Sequence, residues 1–487
     1  MDESQQRTRD NGRLATLGLL AIAVALGTIF RSWSRQSDFD QHVPEFVALA
    51  LLAGTLYVVA VYLVETFQLG LAALLIILAS ALVFRAYLLP LDPPPLSDDV
   101  YRYQWEGRVE RARINPYTVT PAKPGFSRLE DPAHRIRTAR DIPTIYPPLS
   151  EFAFSWVSTV TGYKRLFTGL DLATVAVILL ALAALEKPLP RVLTYAWNPT
   201  VIVSFALCGH HDSLAILTLV AACLFIITQR RTLSFAFLAL SSLSKFFPAV
   251  LLPVFLATVR RGWQAKPASD IGAGVYGRSP DEIGGLSLAR ADPACGFGAT
   301  ERGDKPIRTL WAYAGICAAV VCIAYLPYIG AGRSLFLGLS KYAAIWEAND
   351  SFFRLLLVAG NTKDQAKLIA GVILLGLVIY AIKQHMELLR ACLFLVATLL
   401  LLSSNAFPWY FTWSIPFLCF YPAAPWLLMT VTAVLGYAPV VGYAAGQPYI
   451  HSPFILALEY APVYLWLAYV GWREICREPS PRAGGPI

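Results

Sequence analysis

Apolar blocks of about 20 residues recur along this chain and constrain its fold more than any other feature. A helix needs about 20 consecutive, mostly apolar residues to cross the hydrocarbon core of a bilayer. Charged residues make up only 15% of the sequence and hydrophobic residues 56%, whereas soluble domains carry roughly 25% charged residues. The pattern predicts an all-α polytopic membrane bundle with about 11–13 transmembrane helices.

Several of the apolar blocks contain prolines, which interrupt a helix. The candidate spans are Leu14–Phe30, Phe46–Val64, Leu69–Leu88, Phe167–Leu185, Val192–Leu207, Leu214–Thr228, Leu233–Val259, Leu310–Tyr328, Ala366–Ile382, Leu388–Leu402, Tyr410–Phe420, Trp426–Val441 and Phe454–Trp472. Irregular backbone persists at membrane depth only inside protein or along a wet cavity. We therefore expect discontinuous spans, and an interfacial or re-entrant helix, not a crossing, at residues 146–162.

Basic residues in short loops set the orientation of a membrane protein, because such loops stay cytoplasmic. The predicted cytoplasmic markers are Lys187, Arg191, Arg230, Arg231, Arg260, Arg261, Lys383 and the tail Arg473–Arg477. Three crossings from a cytoplasmic N-terminus then place residues 89–145 outside. Six arginines in that loop oppose the simple rule and are assigned functional or structural roles: Arg108, Arg111, Arg113, Arg135, Arg137 and Arg140. The net charge of +8 is attributed to these loops and to anionic headgroups, not to nucleic acid.

Residues 262–308 differ from the rest of the chain. They combine glycines with charges of both signs and show no apolar period, which predicts a flexible, cytoplasmic insertion. The predicted organisation is therefore an N-terminal transmembrane core at 1–261, which includes the external catalytic loop 89–145, then the insertion, then C-terminal transmembrane helices at 309–487.

The first long loop begins with a segment dense in charge and aromatic rings, Leu96–Arg108. Ser97 is the predicted N-cap of a helix over Val100–Arg113, because the prolines before it forbid helix upstream. Asp98 and Asp99 would then lie in the first turn, where the helix dipole favours ionised carboxylates. The alternative for this Asp-Asp pair is a capping role with an intrahelical ion pair.

Helical spacing predicts which side chains of this segment share a face. Asp98 should lie with Arg102 and Trp105, and Asp99 with Arg102, Tyr103 and Glu106. Aromatic rings beside carboxylates suit a sugar, which presents hydroxyls at its edge and apolar C–H faces.

A series of motifs then follows in order: Ser97–Tyr103, Trp105–Arg108, Asn115–Tyr117, Thr144–Pro148, Trp197–Pro199, Gly209–Asp212, Lys245–Pro248 and Phe407–Tyr410. Through these motifs, over about residues 70–260 and 310–420, the chain resembles the bacterial polyprenyl-phosphate-mannose-dependent mannosyltransferases. They belong to the GT-C superfamily of integral-membrane glycosyltransferases, which also includes the GPI-anchor mannosyltransferases. The motifs together are typical of the superfamily, but they do not specify the sugar or the acceptor.

The resemblance implies that an external aspartate of the first loop acts as general base. Asp99 is the first choice, because its spacing to Tyr101 fits the superfamily better, and Asp98 is the second. A glycosidase needs two carboxylates because its leaving group must be protonated. A polyprenyl phosphate already leaves well, so one base and cations for the departing phosphate suffice. This predicts inversion at the anomeric carbon.

The remaining candidate site residues fall into two sets. The donor phosphate candidates are Arg102, Arg108, Lys245, His210 and His211. The sugar and acceptor candidates are Tyr103, Trp105, Glu106, Asn115, Tyr117, Tyr146, Asp212, Trp409 and Tyr410. Tyr342, Trp346 and Asn349 of the 329–350 loop are further polar and aromatic candidates, but an amphipathic turn there could equally cover the entry of the lipid. Structural alternatives stay open: Lys245 could snorkel from a helix break, the histidines could cap a helix, and Trp409 and Tyr410 could be interfacial belt residues.

These observations predict transfer of a hexose, with mannose the first choice, from a polyprenyl-phosphate donor to an extracytoplasmic lipid or glycan acceptor. The expected location is the bacterial inner membrane, with membrane lipids and no nucleic acid as partners. No cofactor or metal site is predicted, although a divalent cation stays open. The absence of a GxGxxG fingerprint fits a lipid-linked donor. The alternative is a secondary transporter or lipid-linked sugar flippase that uses Asp98, Asp99, Lys245 and His211 as coupling groups.

Overall fold

The computed structural model describes residues 3–36, 39–92, 95–122, 136, 139–262, 307–447 and 449–476. Arg135, Arg137 and residues 263–306 of the predicted insertion lie outside the described residues. The helices of seven or more residues are α1 (Glu3–Trp33), α2 (Val43–Thr66), α3 (Leu71–Leu88), α4 (Asp99–Arg111), α5 (Pro148–Ser155), α6 (Val160–Ala184), α7 (Asp212–Ile227), α8 (Arg231–Ser242), α9 (Leu252–Arg260), α10 (Ile307–Tyr325), α11 (Leu337–Ile345), α12 (Phe352–Val358), α13 (Lys363–Lys383), α14 (Leu388–Leu402), α15 (Ala424–Thr432) and α16 (Pro453–Cys476).

The described residues form an all-helical bundle with no β-strand. Eight stretches among them are long and apolar enough to cross a membrane: Asp10–Trp33, Val43–Thr66, Leu71–Leu88, Val160–Ala184, Ile307–Ile345, Lys363–Lys383, Ala424–Tyr443 and Pro453–Arg473. Three shorter apolar stretches, Asp212–Ile227, Phe247–Arg260 and Leu388–Leu402, accompany them. The predicted polytopic helical membrane fold is confirmed, while the number of crossings stays a prediction.

Several of the predicted spans are discontinuous, among them Val192–Leu207 and Leu233–Val259. In the span Val192–Leu207 the side chain of Asn198 accepts the N–H groups of Thr200 and Val201 and starts a new turn, Pro199–Ile202. A π-helical turn, Val203–Leu207, follows it. All of this irregular backbone is buried inside the protein, as the membrane requires. The span Leu233–Val259 divides into α8, a 3₁₀ turn at Phe247–Leu251 and α9.

The expected non-crossing helix near residue 150 is α5, whose eight residues extend only about 12 Å. It packs closely on α4, because Gly107 has no side chain: a Cβ there would lie 2.1 Å from the carbonyl oxygen of Phe154. The Tyr163 hydroxyl donates to the same carbonyl at 2.7 Å. Arg111 donates to the carbonyls of Ser155 and Val157 just after α5. The two short helices thus form one packed layer.

Two buried cations connect α3 to α6 just before the first long loop. Arg85 in α3 makes a two-point ion pair with Asp171 in α6, at 2.5 and 3.1 Å, and both side chains are fully buried. Lys164 donates to the carbonyls of Leu88 and Leu91 at 2.9 and 2.6 Å, where α3 ends. A cation at a helix C-terminus is favoured by the helix dipole. These contacts fix where the first long loop leaves the bundle.

Candidate active site

The Asp-Asp pair lies at the start of α4, as predicted, but the N-cap lies one residue later than predicted. Asp98, not Ser97, is the N-cap, and its side chain makes no capping hydrogen bond. The Ser97 hydroxyl instead accepts the N–H of Asp99 at 3.3 Å. The side chain of Asp99 is 35% exposed. A carboxylate held at a helix N-terminus and open to solvent suits a base that must reach a substrate hydroxyl.

The turn that carries the two histidines depends on its glycine. Gly209 follows the π-helical turn with a φ of 75°, a backbone conformation that favours glycine. A Cβ at this position would also lie 2.9 Å from Cγ of Lys164. This turn directs His210, His211 and Asp212 into the space beneath α4. π-helical turns occur frequently at functional sites.

His210 lies between the predicted base and an aromatic ring. Its Nδ1 is 3.4 Å from Oδ2 of Asp99, and its ring stacks on Trp409 at 3.9 Å between centroids with an 18° interplanar angle. His210 is fully buried, and neither ring nitrogen has a hydrogen-bond partner among the described residues. The Tyr103 hydroxyl also faces Oδ2 of Asp99, at 3.5 Å. Two separate segments therefore meet at this carboxylate, and a third packs on His210 through Trp409.

His211 points away from Asp99 into an aromatic cage. Its ring makes edge contacts with Tyr103 and Tyr146, each at 5.0 Å between centroids, and with Phe154 at 5.4 Å. The side chain is fully buried. The two adjacent histidines therefore have different surroundings, with His210 at the carboxylate and His211 in the core of the layer formed by α4 and α5.

Asp212 and Lys245 form a second charged pair in the same region. Lys245 Nζ lies 3.3 Å from Oδ1 of Asp212, which also accepts the indole N–H of Trp413 at 2.7 Å. Asp212 is fully buried, while the Lys245 side chain is 16% exposed. Nζ of Lys245 also lies over the rings of Tyr410 at 4.7 Å and Trp413 at 5.8 Å. The Lys245 ammonium group is thus held by two aromatic rings and a carboxylate.

Tyr410 extends the cluster toward the second half of the chain. Its hydroxyl lies 3.5 Å from that of Tyr342, which is also hydrogen-bonded to the side chain of Asn405. Tyr342 was a candidate from its loop, whereas Trp413 and Asn405 had no sequence signal of their own. Trp413 lies one helical turn after Trp409, and only the fold shows that it contacts Asp212.

A second group of predicted site residues lies on the other side of α4. Arg102 donates through Nε to Glu106 at 2.7 Å and through Nη1 and Nη2 to the carbonyls of Ala139 and Ile142, each at 2.9 Å. Its guanidinium also lies over Trp105, at 5.3 Å. Glu106 is fully buried. These residues hold the loop against α4, and their predicted contacts with phosphate or sugar stay predictions.

Asn115, Tyr117 and Arg108 are also separated from Asp99. Asn115 caps a 3₁₀ turn by accepting the N–H of Tyr117, and its amide donates to the carbonyl of Tyr328 at 3.1 Å. The Tyr117 hydroxyl donates to the carbonyl of Tyr146 at 2.8 Å. Arg108 is half-buried and follows Asp99 along α4 by about 13 Å of helix rise. The structure therefore brings together Asp99, Tyr103, Tyr146, His210, His211, Asp212, Lys245, Trp409 and Tyr410, but not these three.

Glu106 of α4 and Glu151 of α5 are a pair of buried carboxyls. The Thr144 hydroxyl donates to Oε1 of Glu151 at 2.5 Å and accepts the N–H of Tyr146 at 3.1 Å. Burial raises the pKa of Glu106 to about 7, against the lowering influence of Arg102. Burial, then the neighbouring Glu106, raise the pKa of Glu151 well above its ordinary value. Because Arg102 is paired with Glu106, we assign the shared proton to Glu151.

No three His, Cys, Asp or Glu side chains gather closely enough to hold a metal ion in the part of the chain that the structure describes. The predicted lack of a metal site and the open question of a divalent cation are left as predictions.

The N-terminal half of the chain matches a protein family. Residues 11–261, just over half of the chain, match the MptA_B family, described as alpha-(1->6)-mannopyranosyltransferase, N-terminal domain. The chain belongs to this mannosyltransferase family. The match includes Asp99, His210 and Lys245 and ends before Trp409 and Tyr410. No curated protein and no solved structure matches the chain.

Membership in the mannosyltransferase family confirms the resemblance that the sequence motifs indicated. The chain is a multi-pass membrane glycosyltransferase of mannosyl transfer type. The family supports this assignment over the transporter or flippase alternative, which rested on the same charged residues.

Proposed function

We propose that this mannosyltransferase moves mannose from a polyprenyl-phosphate donor to a 6-hydroxyl of an extracytoplasmic glycan or lipid acceptor, with inversion and with Asp99 as general base. The observation that carries the proposal is the position of Asp99. It is a part-exposed carboxylate at the start of α4, next to the His210 ring and the Tyr103 hydroxyl.

The reaction requires one proton acceptor and stabilisation of one leaving group. The Asp99 carboxylate takes the proton of the acceptor hydroxyl as its oxygen attacks the anomeric carbon of the donor. The bond between that carbon and the phosphate oxygen breaks, and the phosphate leaves with the electron pair. Asp98, one residue earlier, remains the second candidate for the base or for orienting the acceptor.

Lys245 and His210 are the proposed partners of the departing phosphate. Lys245 is partly exposed and is oriented by Asp212 and Tyr410. Such preorganised charge in a protected site stabilises a leaving anion more than the same charge in water does. His210 lies between the base and Trp409 and can donate from an imidazole nitrogen. Arg102 is proposed to act indirectly, by fixing the loop.

The proposed face of the membrane follows from the helix ends. Asp212 begins α7, and Arg230 and Arg231 follow its far end, about 24 Å away along the helix. Lys383 precedes α14, whereas Asn405 in the site follows it. The basic loops that stay cytoplasmic therefore lie at the opposite ends of these helices from the site. This supports an active site on the outer face of a bacterial inner membrane.

The linkage in the family description restricts the donor. An inverting enzyme that forms an α-linkage must begin from a β-linked sugar phosphate. A (1->6) linkage requires that the attacking oxygen is a primary hydroxyl at C6 of the acceptor sugar.

The test presents purified protein with polyprenyl-phosphate mannose of β and of α configuration and with GDP-mannose, using an α-mannoside acceptor. The matched control acceptor is its 6-deoxy form. The proposal predicts an α-(1->6) product, identified by NMR, from the β donor and the intact acceptor alone. Transfer from GDP-mannose, from the α donor or to the 6-deoxy acceptor would contradict it.

A further inference from the structure

A polar node in the C-terminal half lies outside the cluster around Asp99. Asn349 lies between α11 and α12 with a φ of 53°, and all of its polar groups but one are bonded. Its side-chain N–H groups donate to Oε1 of Glu459 at 2.8 Å and to the carbonyl of Ala406 at 2.9 Å. Its backbone N–H donates to Nδ1 of His451 at 3.2 Å, and its carbonyl accepts the hydroxyl of Tyr460 at 2.7 Å.

Glu459 is the costly member of this node. It lies in α16, within a stretch apolar enough to cross a membrane, and it is fully buried. An ionisable side chain at such a position is expensive and marks a functional role by default. Asn349 is the hydrogen-bond donor that the structure gives to Glu459. The buried Glu459 carboxyl therefore serves to hold the side chain of Asn349 in place.

The node holds the segment that leads into Trp409 and Tyr410, the two aromatic residues that contact His210 and Lys245. The N–H of Ala348 donates to the carbonyl of Ser404 at 3.2 Å, and the carbonyl of Ala348 accepts the N–H of Ala406 at 2.9 Å. This short parallel bridge lies immediately before Phe407, Pro408, Trp409 and Tyr410. A Cβ on Gly436 would lie 2.8 Å from Cγ of Pro408 and 3.0 Å from the amide nitrogen of Asn349. The turn is thus packed from both sides.

Two described contacts connect the turn to His210 and Lys245, and a third connects it to Tyr342. Trp409 stacks on His210, Tyr410 lies under Lys245, and Asn405 is hydrogen-bonded to Tyr342. We propose that Asn349 and Glu459 are positioning residues, which hold the 404–410 turn so that Trp409 orients His210 at Asp99 and Tyr410 orients Lys245. The inference rests on the proposed reaction and extends the site beyond the matched N-terminal domain.

The first readout does not depend on activity. Protein labelled with 5-fluorotryptophan gives one ¹⁹F resonance for each tryptophan. The resonance of Trp409 is assigned as the one that disappears in the variant Trp409→Phe. Asn349→Gly removes the amide but accepts the positive φ, so the fold is kept. We expect this variant to shift the Trp409 resonance. The matched control is Asn361→Gly, because Asn361 also donates to a backbone carbonyl, that of Leu356, away from the site.

The second readout is kinetic. With the β-linked donor, Asn349→Gly and Glu459→Met should lower kcat by about tenfold or more with little change in donor KM, since a misplacement near 1 Å can cost about a hundredfold. Glu459→Gln keeps an acceptor oxygen for Asn349 and should restore most of the rate. In a Trp409→Leu, Tyr410→Leu background, which removes both ring contacts, Asn349→Gly should lower kcat by less than about twofold more, because residues acting as a unit are not additive.

An unchanged Trp409 resonance together with native kcat in Asn349→Gly and Glu459→Met would overturn the inference. A full tenfold further loss in the Trp409→Leu, Tyr410→Leu background would also overturn it, because the node would then act elsewhere. If native protein transferred no mannose from any donor, the proposed function would fail. In that case the Trp409 resonance alone would decide whether the node holds the turn.

Discussion

Nδ1 of His210 lies 3.4 Å from Oδ2 of Asp99, and the two residues come from segments separated by α5, α6 and a broken span. The imidazole is held in place by Trp409 on its face. This relationship joins the first external loop to the core of the matched domain and to the second half of the chain. It places a part-exposed carboxylate above buried polar groups, which is the arrangement that the proposed reaction needs.

Lys245 should contribute to donor binding as well as to stability. The two roles separate when the charge of Asp212 is removed by Asp212→Asn. Lys245→Met alone leaves Asp212 buried with an uncompensated charge, so we expect a loss of about 3 kcal/mol in the free energy of unfolding. Lys245→Met with Asp212→Asn should recover most of the thermal stability but still bind donor weakly. Thermal unfolding and donor binding measure the two effects. A double variant with native donor affinity would show that Lys245 only balances Asp212.

Arg102 should act on stability, with no direct effect on donor binding. Arg102→Met removes the bonds to the carbonyls of Ala139 and Ile142 and leaves Glu106 unpaired. We expect a stability loss of about 3 kcal/mol, which the added change Glu106→Gln should partly reverse. Donor affinity of the double variant, measured by titration, should stay within about twofold of native. A tenfold or larger loss of affinity there would instead support the predicted phosphate contact of Arg102.

The buried carboxyls of Glu106 and Glu151 should make the folded protein less stable as pH rises. Burial raises the pKa of Glu151 and Glu106 in the folded protein, so the unfolded chain releases their protons at lower pH. Their contribution is fully present below the unfolded pKa and is lost as pH rises through the folded pKa, by about 1.4 kcal/mol per pH unit and carboxyl. Between pH 5 and pH 8 the Tm of native protein should therefore decline.

Glu151→Gln is the test of this pH dependence, because it removes one titrating group and keeps the oxygen that accepts the Thr144 hydroxyl. Its Tm should decline less steeply than that of native protein over the same range. Glu186→Gln, at a site remote from this pair, is the control and should leave the native slope. Equal slopes for native protein and Glu151→Gln would mean that the pair does not hold a proton.

Part of the site could be predicted from the sequence because His210 and Lys245 interrupt apolar runs, where a costly polar group marks a function. Asp99 lies instead in the polar first loop and is predicted from the motif that contains it. The signal of a polar group in an apolar run is also carried by Arg85 and Lys164, but in the structure these cations pair with Asp171 and with helix-end carbonyls. Sequence position alone does not separate a cation that holds the bundle from one that meets a substrate.

The parts that sequence could not supply arise from contacts between distant segments. Spacing along α4 correctly put Tyr103 near Asp99, but it could not show that Arg102 pairs with Glu106 and turns toward Ala139, away from Asp99. Trp413 contacts Asp212 only because two irregular segments pack together. The predicted breaks in the spans were correct, since proline forbids continuous helix there, yet the direction of each new turn depends on tertiary packing.

The role of Asp99 as general base is tested most directly by mannose transfer from the β-linked polyprenyl-phosphate donor. Native protein, Asp99→Asn and Asp98→Asn are compared, with donor binding measured alongside. Loss of a general base typically costs about a hundred- to ten-thousand-fold in rate. We expect a loss in that range for Asp99→Asn with donor affinity near native, and a smaller loss for Asp98→Asn. Transfer by Asp99→Asn at the native rate would contradict the central claim and leave Asp99 as part of a helix terminus.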